Sequence, residues 1–294
     1  DPGIGKTTLC QRLAFLWAME EECSADCPKL PLPCIHRFKI VVYLYAADLK
    51  GYESVPSAVR SHLLPADMKI TDEDVEAVLR SCEVLLIIDS YDEGYKENDL
   101  LHSLIEMGVQ RSSTVMLTSR PLYLREKLDC FQSRMSVKGF NKTQRNAYVT
   151  KFAREKKQRV KKYKDMIMKP NVEALCSTPL NVCILCMLCG EGEVESINTR
   201  TAMYCSVHDF LRRKASKRLR ISPDDVEKEI LRPLYKVSFM AYERGEATIS
   251  EHQLTDEGQD PERICEAGYL IKKIRISLLE GEVRYSFSHR TFQE

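Results

Sequence analysis

Lys6, Thr7 and Thr8, preceded by Gly3-Ile4-Gly5 and followed by the helix-like LCQRLAFLWA, are the first residues whose types and spacing suggest chemistry. They match the later part of G-x-x-x-x-G-K-[ST], whose first glycine would fall one residue before Asp1. Glycines let backbone N–H groups close around phosphate oxygens. Lysine brings charge to the outer phosphates, a threonine hydroxyl can ligate Mg²⁺, and a helix N-terminus favours the anion. Gly3, Ile4, Gly5, Lys6, Thr7 and Thr8 are therefore candidate phosphate-binding residues, with Thr7 also a candidate metal ligand. A second constellation is VLLIIDSYDEG, residues 84–94. An apolar strand ending in Asp89 puts a carboxylate at the carboxyl edge of a parallel sheet, where phosphates and Mg²⁺ would sit. Asp89 is the candidate Mg²⁺ ligand. Asp92 and Glu93 follow in the same turn, where one of them can orient or deprotonate a water attacking the terminal phosphate. The third is TVMLTSRP, residues 114–121, which delivers Thr118, Ser119 and Arg120 to the end of another apolar run. Arg120 is the candidate sensor of the terminal phosphate, although an arginine after a strand is, taken alone, more often half of a surface ion pair.

The elements that must position these residues alternate from residue 1 to 135. A glycine turn leads into the helix-like TTLCQRLAFLWAMEEE, the β-rich FKIVVYLYAADL, a polar segment with VEAVLRSC, the strand VLLIID, the helix-like LLHSLIEMG and the strand TVMLTSRP. Short apolar runs separated by helical periods indicate βαβ units and a parallel sheet covered on both faces, an α/β domain. After about Lys138 helical patterns take over: TQRNAYVTKFAREKKQRVKKY, PLNVCILCMLC and VHDFLRRKASKRLR. Ser222 reads as an N-cap with Pro223 at the first helical position. YLIKKIRISLLEGEVRYSFSH reads as a β-hairpin around Glu280 and Gly281, and helices followed by a hairpin suggest a winged helix.

Composition narrows the function classes. The 294 residues carry 44 Lys and Arg against 43 Asp and Glu, a net charge of +1, so no global field points to nucleic acid or an anionic membrane. The basic runs 151–164 and 212–220 lack regularly interleaved aromatics for stacking and read as solvated helix faces. The longest apolar stretch, Pro179 to Cys189, is too short for a bilayer span of about 20 residues. Twelve cysteines in a chain of this size, several inside apolar runs, read as reduced cytosolic thiols. Cys183, Cys186 and Cys189 fall on one face of a helix rather than in a metal-binding spacing, and Cys23 with Cys27 is no stronger a metal pair. With no start methionine or signal peptide, the sequence reads as an internal segment of a longer protein.

The three constellations together resemble the NACHT domain of NOD-like receptors, in the signal-transducing (STAND) branch of P-loop ATPases. The resemblance is most specific at Asp89-Ser90-Tyr91-Asp92-Glu93, where a small residue and then an acidic pair follow the metal aspartate. Ser90 stands where glycine is commonest, and Tyr91 replaces the more usual leucine. Ser177-Thr178-Pro179-Leu180 looks like the helical-domain proline motif that packs near the adenine. Phe287 to Glu294 resembles the winged-helix motif F-x-H-x-x-F-Q-E, in which the histidine matching His289 reaches the diphosphate. The resemblance covers nearly the whole chain. It implies an α/β P-loop nucleotide-binding domain over 1–137, a small helical domain over 138–200 and a winged-helix domain over 201–294. It further implies an ATP/ADP-binding, Mg²⁺-dependent switch in a cytoplasmic innate-immune receptor. In that family the switch hydrolyses ATP slowly, assembles with copies of itself and meets signalling adaptors through domains flanking this sequence. Two other readings stay open: a turnover P-loop ATPase or GTPase of motor or remodelling type, and a winged-helix nucleic-acid module, which the near-zero net charge disfavours. Only the likeness at Pro179 selects adenine over guanine.

Overall fold

The computed structural model describes residues 3–19, 35–65, 67–106, 113–192, 197–244, 246, 248–274, 283–287 and 292. It divides into two compact units, one of residues 6–135 with 274–282, the other of 1–5, 136–273 and 283–294.

The unit containing residues 6–135 is built on a parallel sheet of β1 (Ile40–Tyr45), β2 (Val84–Asp89) and β3 (Thr114–Leu117), in the order β1-β2-β3. Its helices are α1 (Lys6–Ala18), α2 (Val55–Leu63), α3 (Asp72–Ser81), the single turn α4 (Tyr91–Gly94) and α5 (Asp99–Ile105). Every residue of the central strand β2 is buried. Because side chains alternate along a strand, Leu85 and Ile87 pack with Cys10 and Leu13 of α1, while Leu86 and Ile88 join Val55, Leu79, Leu101 and Leu104 on the other face. A central strand covered on both faces needs an unbroken apolar run, and VLLII supplies one. The segment containing VEAVLRSC, read from sequence only as polar, is helix α3. Thr71 caps the Asp74 N–H and the Asp74 carboxylate returns to the Thr71 N–H, which fixes its start.

The other unit is mainly helical: α6 (Lys142–Glu155), α7 (Val160–Ile167), α8 (Pro170–Glu173), α9 (Pro179–Glu191), α10 (Arg200–Leu219), α11 (Pro223–Asp225), α12 (Arg232–Glu243), α13 (Glu251–Thr255) and α14 (Pro261–Ala267). Its strands β4 (Ile249–Ser250), β5 (Leu270–Ile274) and β6 (Val283–Phe287) form a sheet in the order β4-β6-β5, with β4 antiparallel to β6. The strands of the expected hairpin are present and adjacent, and its turn at Glu280 and Gly281 lies outside the described residues. Ser222 caps α11 through the Asp225 N–H, with Pro223 at the first position, as the sequence indicates. Two hydrophobic clusters share α10. Met203 and Val207 belong to the cluster of α6, α7 and α9, Ala215 to that of α12, α14 and Tyr285, and Leu211 touches both. Regular α-helix is interrupted at two places. The run 143–163 divides into α6 and α7 after Lys157 takes the left-handed conformation at φ 53°. Before α12 the chain runs as a π-helix over Val226–Leu231, next to Pro233, which has no N–H to donate.

Candidate functional site

Gly3 and Gly5 have φ of +73° and +102°, a region that glycine enters without the penalty of a Cβ. Gly3 is also held from outside the loop. Its carbonyl accepts from the Leu180 N–H at 3.3 Å, and a Cβ on Gly3 would lie 2.6 Å from that of Leu180. Helix α1 opens at Lys6, so Lys6, Thr7 and Thr8 occupy its first turn, whose N–H groups lack intrahelical partners and favour an anion.

Strand parity decides where the sheet's polar residues face. Asp89 follows Leu85 and Ile87 on the α1 face of β2, and Tyr43 follows Val41 on the same face of β1. Thr118, one residue beyond β3, follows Met116 on that face. These three side chains meet. Asp89, fully buried, accepts at Oδ1 from the Thr118 hydroxyl and, at 3.8 Å, from the Cys10 thiol. Its Oδ2 accepts from the Tyr43 hydroxyl at 3.4 Å. Burial first, and then the charge of Asp89, pushes the Cys10 thiol up to about 12, so Cys10 stays protonated and remains a donor. Burial likewise raises Tyr43, helped by Tyr45 and Asp89.

The turn after β2 is stitched to the end of β3. Ser90 is left-handed at φ 61°, which explains why a glycine suits this place in the motif. Its N–H donates to Thr118 Oγ1 at 3.0 Å, and the Tyr91 N–H donates to the Thr118 carbonyl at 2.9 Å. Arg120 meets Asp92 twice, by its backbone N–H at 3.0 Å to Oδ1 and by Nε at 2.9 Å to Oδ2. Gly94 closes the turn so near the neighbouring chain that a Cβ there would lie 2.3 Å from the Ala47 nitrogen. Buried Asn98 completes the stitching by donating to the carbonyls of Ala46 and Gly94 and capping α5 through the Leu101 N–H.

The edge of the parallel sheet thus brings together Asp89, Asp92 and Arg120, with Glu93 in the same turn. In the other unit, Pro179 sits at the first position of α9, where Thr178 accepts from the Asn181 N–H. His289 lies outside the described residues. Sequence reasoning passed over Cys10, Tyr43 and Asn98. Cys10 carried a signal, since it lies three residues beyond Thr7 on one helix and so shares its face. Tyr43 carried none until the register of β1 against β2 was known.

The model of the NACHT domain family matches residues 1–156 of this chain. Among curated proteins, the chain is 26% identical over 236 residues to NLR family CARD domain-containing protein 4 of Bos taurus, covering 78% of this chain and 22% of that protein. It is 25% identical over 229 residues to NACHT, LRR and PYD domains-containing protein 2 of Homo sapiens, covering 69% and 20%. It is 24% identical over 189 residues to Baculoviral IAP repeat-containing protein 1 of Homo sapiens, covering 63% and 13%. The chain thus spans between 13% and 22% of the length of these relatives. A solved structure of the Aeropyrum pernix ORC1 protein in complex with DNA aligns over 99% of this chain and 83% of its own at 15% identity. Its TM-score of 0.38 is too low for that likeness to bear on fold or function. With a parallel sheet whose carboxyl edge carries Asp89 and Arg120, a helix opening at Lys6, and a family match over more than half its length, this chain belongs to the NACHT domain family.

Proposed function

We propose that this chain is the nucleotide-controlled switch module of an innate-immune receptor of NOD-like type, binding ADP and ATP with Mg²⁺ and passing the nucleotide's identity to self-association. One observation carries the reading: α1, which begins with Lys6 and Thr7, touches Asp89 through Cys10 at the sheet edge that also holds the Arg120–Asp92 pair. A phosphate-binding helix, a metal carboxylate and a phosphate-sensing cation at one edge are what a nucleoside triphosphate and its Mg²⁺ require. The residues fit the metal. A carboxylate offers about four acceptor positions, and three side-chain donors occupy Asp89, leaving one for Mg²⁺ or a water on it. In this reading Gly3, Ile4, Gly5, Lys6, Thr7 and Thr8 bind the phosphates, and Thr7 and Asp89 serve the metal. Asp92, Glu93 and Arg120 act at the terminal phosphate, and Pro179 and His289 contact the base and diphosphate. Residues 1–137 form the nucleotide-binding domain, 138–200 the helical domain and 201–294 the winged helix. In this reading hydrolysis is slow and resets the switch, and the Arg120–Asp92 pair holds both side chains at the turn beside the terminal phosphate.

A nucleotide shifts an equilibrium only by binding one state better than the other. The test is therefore to measure the mass of the purified chain with ADP, with ATP and without nucleotide, beside Lys6→Ala. An ATP-dependent rise in mass that Lys6→Ala abolishes supports the switch. Equal masses in every condition, for both proteins, overturn it. Sustained hydrolysis of about 1 s⁻¹ or faster would favour a turnover enzyme instead.

A further inference from the structure

The carboxylate of Asp89 is fixed by side chains from three elements: Cys10 from α1, Tyr43 from β1 and Thr118 from the end of β3. None of the three belongs to the residues assigned above to phosphate or metal. Their arrangement is specific. The strands on both sides of β2 each send one hydroxyl to Asp89, Thr118 to Oδ1 and Tyr43 to Oδ2, and the helix packed over that face sends a thiol to Oδ1. The carboxylate is therefore held by donors on both oxygens, and its rotation would break at least one of these contacts. Thr118 does more than donate. Its Oγ1 accepts from the Ser90 N–H, its N–H donates to the Ile88 carbonyl at 3.0 Å, and its carbonyl accepts from Tyr91, so it locks the residues on both sides of Asp89 as well. Cys10 acts from a different element. It lies one helical turn after Thr7 on α1, so its contact ties the turn of α1 that follows Thr7 to the Asp89 carboxylate.

We propose that Cys10, Tyr43 and Thr118 are positioning residues that hold Asp89, and the spacing of Asp89 from Thr7, in the geometry a Mg²⁺–nucleotide needs. Mg²⁺ demands near-octahedral geometry at about 2.0–2.1 Å, so a carboxylate free to rotate loses affinity for it even when the ligand itself is unchanged. The inference rests on the nucleotide-switch reading and assigns these three residues to the metal's share of binding, leaving the metal-independent contacts of the phosphates untouched.

The experiment titrates the full chain with a fluorescent ADP analogue, once with excess Mg²⁺ and once with EDTA, and takes the ratio of the two affinities as the Mg²⁺ gain. Tyr43→Phe keeps the ring and removes only the hydroxyl; Thr118→Val removes the hydroxyl at nearly constant volume; Thr118→Ser retains it. Tyr43→Phe and Thr118→Val are expected to cut the Mg²⁺ gain by about ten-fold, the low end for removing a group that orients a metal ligand, and Cys10→Ala, which removes the longer thiol contact, by less. Affinity in EDTA should stay at the wild-type value, and Thr118→Ser should restore the gain. A merely structural role would lower both affinities together, or neither, and either result overturns the proposal, as does a wild-type Mg²⁺ gain in both Tyr43→Phe and Thr118→Val. Failure of the underlying reading looks different. There the wild-type chain itself binds no ADP, or binds it equally with and without Mg²⁺, and the inference falls with it.

Discussion

Ser90 and Gly94 show how tightly single residues are specified in the turn after Asp89. Ser90 holds a left-handed backbone that costs an L-residue about 1–2 kcal/mol, and three contacts, its own N–H to Thr118, the Tyr91 N–H to Thr118 and the Glu93 N–H to the Ser90 carbonyl, stabilise it there. Gly94 is constrained by space rather than by φ, since the atoms a Cβ would meet are backbone of Ala46 and Ala47 and cannot swing away. Gly94→Ala should therefore lower stability by about 3 kcal/mol or more, read as a fall in the denaturant midpoint at unchanged slope. An unchanged midpoint would show that the turn can move away from the Ala46–Leu49 segment. The sequence made Asp89 and Arg120 legible because each ends an apolar run. Of the donors that hold Asp89, Tyr43 was not legible, because it is an ordinary core-strand residue until pairing reveals which strand lies beside it.

At the scale of elements, capping chemistry accounts for motifs that also invite functional readings. Thr178-Pro179 opens α9 with the Thr178 hydroxyl on the Asn181 N–H, Pro179 at the position where a missing N–H costs nothing, and the Asn181 side chain tied to the Leu175 carbonyl. Thr178→Ala should cost about 1 kcal/mol of stability, measured by chemical denaturation, and Thr178→Ser should recover most of it. The basic stretch 212–220 is partly structural in the same way. Arg218 donates to the Glu266 and Ala267 carbonyls at the end of α14, beside Gly268, whose left-handed φ of +87° terminates that helix. Arg212 pairs with Asp209, and Lys214 lies over the Phe210 ring. Helical periodicity located these helices. It did not locate their breaks at Lys157 and before Pro233, because a single left-handed residue or a π register leaves the hydrophobic pattern almost unchanged.

For the molecule as a whole, His208 links stability to pH. It lies on α10 in contact with the rings of Tyr235 and Tyr269, with its Nδ1 buried and without a hydrogen-bond partner among the described residues. Burial lowers its pKa below the ordinary 6.5, against the opposing pull of Glu227 and Asp209. The charged groups that face the cluster are Asp209 and Arg212 from α10 and Glu227 from the π-helix. A folded-state pKa below the unfolded value means that the unfolded chain takes up the proton first. The contribution of His208 is therefore complete above pH 6.5 and is lost as pH falls from there toward the folded-state value. Thermal midpoints of the wild type should fall between pH 7.5 and 5.5, and His208→Phe, which keeps an aromatic ring in contact with Tyr235 and Tyr269, should flatten part of that slope. An identical slope in the variant would assign the pH dependence to other groups.

The sequence by itself determined the class of the protein and the list of parts. A glycine turn before Lys6-Thr7-Thr8, an apolar strand ending in Asp89 and another ending before Arg120 announce a phosphate-binding α/β unit, because each motif depends only on local backbone geometry and on the period of the chain. Tertiary structure alone decided what surrounds those parts. Which strand lies beside β2, which face of α1 meets it, and hence that Cys10, Tyr43 and Thr118 converge on Asp89 follow from register and packing between residues up to 79 positions apart. That information resides in the pairing of elements and in no local stretch of sequence, so motif spacing could name the carboxylate and bring Thr118 to the same sheet edge, but could not show that Cys10, Tyr43 and Thr118 together hold it.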